Sequence, residues 1–266
     1  SVIRYRQPAQ LFLNDGTGRF EEMPARSGPF ALPLAARGAA YGDYDRDGLL
    51  DLVVADYLDL TSIPGPIENE KANWRGFLVY PGPRAYTPQG MSLFRNKGDG
   101  TFEDVTESSG FSQIEPAYSF TCLWGDVNQD LYPDLYVSND SMPSYLLLNH
   151  GGETFEEYGL FSGVAYSEDG TEMASMGASY GDPNGDFEWD ISVANFSEEP
   201  FTVLLGNGDG TFRDITYTSS VGNKTYSALG WGVEWIDVEN DGDEDLFFCT
   251  GRSEERRVGK ECATGC

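Results

Sequence analysis

One histidine, four cysteines and 17 basic residues in a chain of 266 leave several kinds of chemistry short of parts. A single His rules out a His-rich metal site, and no Ser/His/Asp arrangement, G-x-S-x-G or phosphate-binding Gly loop occurs. His150 sits in the turn NHGGET, where a turn role is expected. Four cysteines imply no disulfide framework. Cys122 and Cys249 fall in strand-like runs and are expected to be buried small hydrophobes. Against 44 acidic residues the basic ones leave a net charge of −27, so no basic face meets the phosphates of a nucleic acid. No apolar run is long enough for a membrane-spanning helix, and no ten-residue helical periodicity stands out. No signal peptide opens the chain, but the chain begins in mid-repeat, so its natural N-terminus is expected to lie upstream and the absence excludes nothing.

What the chain has in excess is aspartate in a fixed rhythm. Residues 42–52 read GDYDRDGLLDL, placing Asp43, Asp45, Asp47 and Asp51 at positions 1, 3, 5 and 9 of a loop. Like charges about 4 Å apart cost roughly 4 kcal/mol per pair at an effective dielectric near 20. Such a cluster persists where water screens it or a cation fills it. The pattern returns three times: Asp126, Asn128, Asp130 and Asp134; Asp182, Asn184, Asp186 and Asp190; Asp237, Glu239, Asp241 and Asp245. All sixteen positions carry an oxygen ligand, which suits a hard cation such as Ca²⁺. The loops begin like an EF-hand loop but end differently. Position 12 is Val54, Val137, Val193 or Phe248 in place of the bidentate Glu, and a β-branched or aromatic run follows in place of a helix. Position 6 calls for a left-handed backbone. Gly48 and Gly242 supply it freely, whereas Leu131 and Phe187 do so at a cost, so the two middle loops are expected to bind more weakly.

A second motif accompanies the first. LFLNDGTGRFEEM (11–23), LFRNKGDGTFEDVT (93–106), YLLLNHGGETFEEY (145–158) and VLLGNGDGTFRDIT (203–216) each read as a β-hairpin whose second strand is led by Phe20, Phe102, Phe155 or Phe212. The first loop aspartates lie at 43, 126, 182 and 237, which sets a unit of about 55 residues. The first interval carries an extra segment near 61–90, read as an ordered surface loop. Strand, acidic loop, strand and hairpin make four strands per unit. The expectation is an all-β fold, a β-propeller of four-stranded blades with calcium loops, incomplete at about four blades' worth of strands.

These motifs resemble the FG-GAP/VCBS repeats of integrin-α-like β-propellers. LFRNKGDGTFEDVTESSG, the stretch DGTEMASMG and ALGWGVEWIDVENDGDEDLF resemble more narrowly the bacterial relatives of cartilage acidic protein, the ASPIC/UnbV family. The resemblance implies a secreted, periplasmic or cell-surface protein that binds Ca²⁺ and engages a protein or glycan as an adhesion or scaffold module, with no membrane span and no enzymatic activity. The alternative is a calcium-dependent propeller enzyme acting on polysaccharide. That chemistry needs a base and cationic groups in a cleft, for which the inserted segment offers Arg75, Arg84 and Tyr86. A rim or central cleft gathering basic and aromatic side chains would separate the two. Residues 1–251 are expected to be propeller. Residues 252–266, which begin RSEERRVGKEC and contain Cys262 and Cys266, break the pattern and are expected to be a non-native tail.

Overall fold

The computed structural model describes residues 12–22, 36–59, 72–74, 77–79 and 82–251. The 252–266 tail and Arg75 lie outside the described residues, as do both ends of the 11–23 motif. The described chain is all-β apart from short helical turns, and it forms an incomplete β-propeller.

Three blades are complete. The first is β3 (Ala36–Gly42), β4 (Asp51–Asp56), β7 (Ser92–Asn96) and β8 (Phe102–Asp104). The second is β9 (Ser119–Gly125), β10 (Asp134–Asn139), β11 (Tyr145–His150) and β12 (Thr154–Glu157). The third is β13 (Ser175–Gly181), β14 (Asp190–Asn195), β15 (Thr202–Gly206) and β16 (Phe212–Asp214). Each is an antiparallel meander with neighbours paired in chain order. Two strand pairs accompany them, β1 (Phe12–Asn14) with β2 (Phe20–Glu22), and β17 (Gly230–Ile236) with β18 (Asp245–Thr250). The inserted segment is more than a loop. It contains a small hairpin, β5 (Ala72–Trp74) with β6 (Phe77–Val79), and a 3-10 turn at Pro83–Ala85.

The innermost strands β3, β9, β13 and β17 pack in succession. Alternation along each strand divides its side chains between two neighbours. Leu135 and Val137 of β10 join Val53, Ala55 and Leu93 of the first blade in one core cluster. Tyr136 between them joins Ile191, Val193 and Leu204 of the third blade in another. The second blade is therefore apolar on both faces, which is why β10 reads as an unbroken buried run.

Close approach between blades depends on the glycine that ends each of β3, β9 and β13. A Cβ on Gly42 would lie 2.6 Å from the Trp124 ring, one on Gly181 2.4 Å from the Trp235 ring, and one on Gly125 3.0 Å from the Tyr180 ring. Each blade presents an aromatic ring that fills the space left by a glycine of its predecessor.

The two cysteines within strands differ. Cys122 is buried, and burial pushes its thiol up to about 12. Cys249 is exposed, contrary to expectation. It lies on β18, which pairs with β17 alone among the described strands, so no outer hairpin covers it there. His150 ends β11 and pairs with the Glu156 carboxylate at 3.0 Å on the surface, a turn-flanking role.

Candidate metal centres

Each acidic loop joins the first two strands of its unit, and position 9 begins the second strand every time, at Asp51, Asp134, Asp190 and Asp245. That residue pairs across the ladder with the last residue before the loop: Gly42, Gly125, Gly181 and Ile236 respectively. The eight residues between are thereby closed into a ring.

The ring is wound by its own aspartates. The backbone N–H at position 6 donates to Oδ2 of position 1 in all four loops, from Gly48 to Asp43 (3.0 Å), Leu131 to Asp126 (2.9 Å), Phe187 to Asp182 (3.0 Å) and Gly242 to Asp237 (2.9 Å). The N–H at position 7 donates to Oδ1 of position 5, as from Leu49 to Asp47 at 2.8 Å and from Tyr132 to Asp130 at 2.9 Å. Position 6 is left-handed throughout, with φ of 88° at Gly48, 79° at Leu131, 66° at Phe187 and 97° at Gly242. Leu131 and Phe187 meet the expected geometry and leave large apolar side chains in solvent, 66% and 92% exposed. Position 4 is left-handed as well, at Arg46, Gln129, Gly185 and Asn240. The sequence hid this, since only Gly and Asn among those four residues favour such a φ.

The position-9 carboxylates hold the ring to the blade. Oδ1 accepts from the third strand of the same blade: Asn96 N–H to Asp51, Asn149 N–H to Asp134 and Gly206 N–H to Asp190, each at 2.8 Å. Oδ2 accepts from position 2 of its own loop, from Tyr44 (3.3 Å), Val127 (3.1 Å) and Val238 (3.2 Å). Loop three breaks the rule. Its position 2 is Pro183, which has no N–H to give, and Asp190 Oδ2 is buried without a hydrogen-bond partner.

Asp51, Asp134 and Asp190 have no exposed surface. Burial, opposed by the backbone donors, raises their carboxyls to about 6, about 7 and about 6. The remaining loop carboxylates push in the same direction. In the first loop, oxygens of Asp43, Asp45 and Asp51 lie within 4.8 Å of one another, a spacing that a cation with ligands at 2.3–2.6 Å bridges. Asp43 Oδ1 there is buried with no hydrogen-bond partner. Among the described residues this is the one group of three carboxylates so close. In loops two and three the position-3 amides of Asn128 and Asn184 donate to Asp130 (3.2 Å) and Asp186 (2.8 Å). In loop four the Glu239 carboxyl is raised, chiefly by its hydrogen bond to Asp245. The donor set is all oxygen, which suits Ca²⁺ over a thiolate- or imidazole-seeking metal.

Neighbouring loops are stitched together. The Asn149 amide donates to the carbonyls of Tyr44 in loop one and Pro133 in loop two, both at 2.9 Å. Gln129 Nε2 donates to Glu188 at 2.6 Å, joining loops two and three. Asp182 N–H donates to Glu244 at 2.7 Å, joining loops three and four.

Four-stranded blades with an aspartate-wound loop after each first strand define a repeat propeller. The family model of the FG-GAP-like repeat matches residues 2–54, 84–137 and 182–248, and the chain belongs to this family. Every acidic loop lies inside a matched segment. A search of curated proteins found no match. Among solved structures the chain is similar to the exotype rhamnogalacturonan lyase YesX, at 16% identity and a TM-score of 0.44, over 80% of this chain and 38% of that one. The chain thus spans well under half the length of that protein. The match corrects one expectation. The similar structure is an enzyme, so the assignment of this chain as non-enzymatic does not stand. The likeness carries nothing further about the chain's activity.

Proposed function

We propose that the chain is a calcium-binding, integrin-like β-propeller that acts as a binding or scaffold module for a protein or glycan outside the cytoplasm, with residues 1–251 as its propeller part and 252–266 as a non-native tail. Its motifs favour the narrower kinship with bacterial relatives of cartilage acidic protein. One observation carries the calcium reading: in a loop of three converging carboxylates, Asp43 keeps a buried oxygen with no hydrogen-bond partner. Buried polar atoms are rarely left so, and a cation would complete the set. Positions 1, 3, 5 and 9 of each loop would supply the side-chain ligands. Ca²⁺ there would offset the mutual repulsion of the carboxylates and rigidify the rim from which a ligand is held. Extracellular sites of this kind have dissociation constants on the order of 10⁻⁴–10⁻³ M. At a hundred times that concentration each occupied site adds about 2.7 kcal/mol. Thermal melting in about 10–100 mM Ca²⁺ should therefore exceed melting in EDTA by many degrees, and identical melts would sink the reading.

A second reading, a propeller enzyme acting on polysaccharide, is favoured by a separate observation: Arg37, Arg84, Tyr57 and Asp140 gather at the strand ends away from the loops. Incubation with uronate polymers, followed by ultraviolet absorbance of unsaturated products, tests it.

A further inference from the structure

The loops occupy one end of the blades. At the other end, side chains from distant parts of the sequence meet at the junction of the first two blades. Arg37 lies at the start of β3 and Tyr57 just past β4, and the guanidinium stands 5.1 Å above the tyrosine ring. The Tyr57 hydroxyl donates to Asp140 Oδ2 of the second blade at 2.5 Å, and Ser141 Oγ donates to Oδ1 at 2.9 Å. Arg84, carried by the inserted segment, donates from Nε and Nη2 to the Ser141 carbonyl at 3.1 and 2.6 Å, and pairs with Glu172. Tyr118 and Phe120 pack edge-on against Tyr57 at 5.9 and 6.1 Å, which fixes the ring. Ser141 is held at a φ of 60°, a cost that loops avoid where nothing requires it.

Asp140 departs from the repeat. It is the first residue after β10, where the first and third blades have Tyr57 after β4 and Phe196 after β14. Burial raises its carboxyl, while the two hydroxyls and both arginines pull it back down. A tie between blades accounts for the Tyr57–Asp140 bond and for Arg84, which bonds the Ser141 carbonyl and Glu172, but not for Arg37. Among the described residues there are eight Lys and Arg, and two of them converge here in a strongly acidic chain. Arg37 is exposed and has no carboxylate within ion-pair distance among those residues. Its stacked guanidinium is desolvated on one face and open on the other.

We infer that this rim binds a uronate-bearing oligosaccharide, with Arg37 and Arg84 taking the sugar carboxylate and Glu172 accepting from its hydroxyls. The inference rests on the glycan-binding reading above and adds a site separate from the calcium loops. The mix of charges decides the class. Each uronate unit brings hydroxyl donors beside its carboxylate, from which Glu172 can accept, whereas an Asp or Glu side chain of an acidic peptide brings none. Guanidinium holds carboxylate in a planar, two-pronged fashion that lysine does not reproduce.

The test is calorimetric titration of the full chain in calcium with hexamers of galacturonate and mannuronate, with neutral galactan and mannan hexamers as controls. The uronates should bind and the neutral sugars should not. Arg37→Gln should weaken binding about tenfold, the size of one lost charge-assisted contact, with only the small fall in melting temperature that loss of its stacking on Tyr57 brings. Arg84→Gln should weaken binding too, but it also frees the inserted segment, so Arg37→Gln decides. No uronate binding, equal binding of neutral sugars, or an unaffected Arg37→Gln variant overturns the proposal. Tighter binding of a polyglutamate peptide than of either uronate overturns the saccharide assignment. Failure of the calcium reading would register separately, as melting unchanged by EDTA, and would leave the Arg37→Gln comparison intact.

Discussion

Withdrawing calcium should give Asp134 a measurable pH signature. Its carboxyl is fully buried between the N–H groups of Asn149 and Val127, and burial raises it to about 7, against about 3.9 for an aspartate in an unfolded chain. Between those values the metal-free native state holds a proton that the unfolded state has lost. The sign follows from linkage: a native state that binds more protons loses stability as pH rises. The contribution is complete below about pH 4 and is gone once pH has risen through about 7. At 1.36 kcal/mol per pKa unit it amounts to about 4 kcal/mol. On the calcium reading the ion would take the place of the proton, so a loaded loop should not show this decline. Urea unfolding at pH 5 and pH 7.5, in EDTA and in calcium, compares wild type with Asp134→Asn, whose amide cannot ionise. In EDTA the wild type should lose about 2.5 kcal/mol more than the variant across that interval, the share of the total that falls between pH 5 and pH 7.5. Equal losses would refute the reasoning, and so would a wild-type decline that calcium leaves intact.

Three further outcomes follow from the geometry. Pro183→Ala supplies the missing donor to Asp190 Oδ2, so the gap in melting temperature between calcium and EDTA should narrow by the equivalent of about 1 kcal/mol; a wider gap by scanning calorimetry would contradict this. Leu131→Gly removes a left-handed cost of roughly 1–2 kcal/mol, partly offset by the freer unfolded chain. The structure already holds Leu131 at a φ of 79°, so the gain should be in stability, about 1 kcal/mol, and a large tightening of calcium binding with no stability change would refute it. Gly181→Ala places a Cβ 2.4 Å from the Trp235 ring and should destabilise by about 1–3 kcal/mol; a neutral result in chemical denaturation would mean that the blades part more easily than their packing indicates.

Much of the architecture was legible because its signals are local. Aspartates on alternate residues, each set followed by a β-branched run, marked where the second strand of every unit begins, and Phe-led hairpins marked the outer strands. What escaped depends on partners far along the chain. Tyr57 and Asp140 are 83 residues apart, and neither motif nor spacing links them. The position-9 aspartates were read as ligands like the others, yet their burial against the third strand makes them anchors of the loop too. Pro183 looked unremarkable until its missing N–H left an oxygen of Asp190 unsatisfied. Cys249 was assigned to a core because its strand is apolar, and exposure depends on what covers that strand. The non-enzyme expectation rested on a family resemblance together with missing catalytic motifs, which is weak ground, because fold resemblance does not fix function.

The glycine–aromatic junctions bear on how such a chain grows. Trp124 fills the space at Gly42, and Gly125, one residue on, makes space for Tyr180; Tyr180 and Gly181 repeat the arrangement toward Trp235. Plug and socket are adjacent in sequence but face opposite neighbours, because successive strand residues point to opposite sides. Tandem duplication of one unit in a gene therefore copies both halves of the joint, and the new blade docks on its parent without any compensating mutation. Substitution of either half breaks that compatibility for every later copy. The joint is complete at Trp124–Gly125 and Tyr180–Gly181, whereas the fourth unit, with Ile236 after Trp235, keeps the plug without the socket.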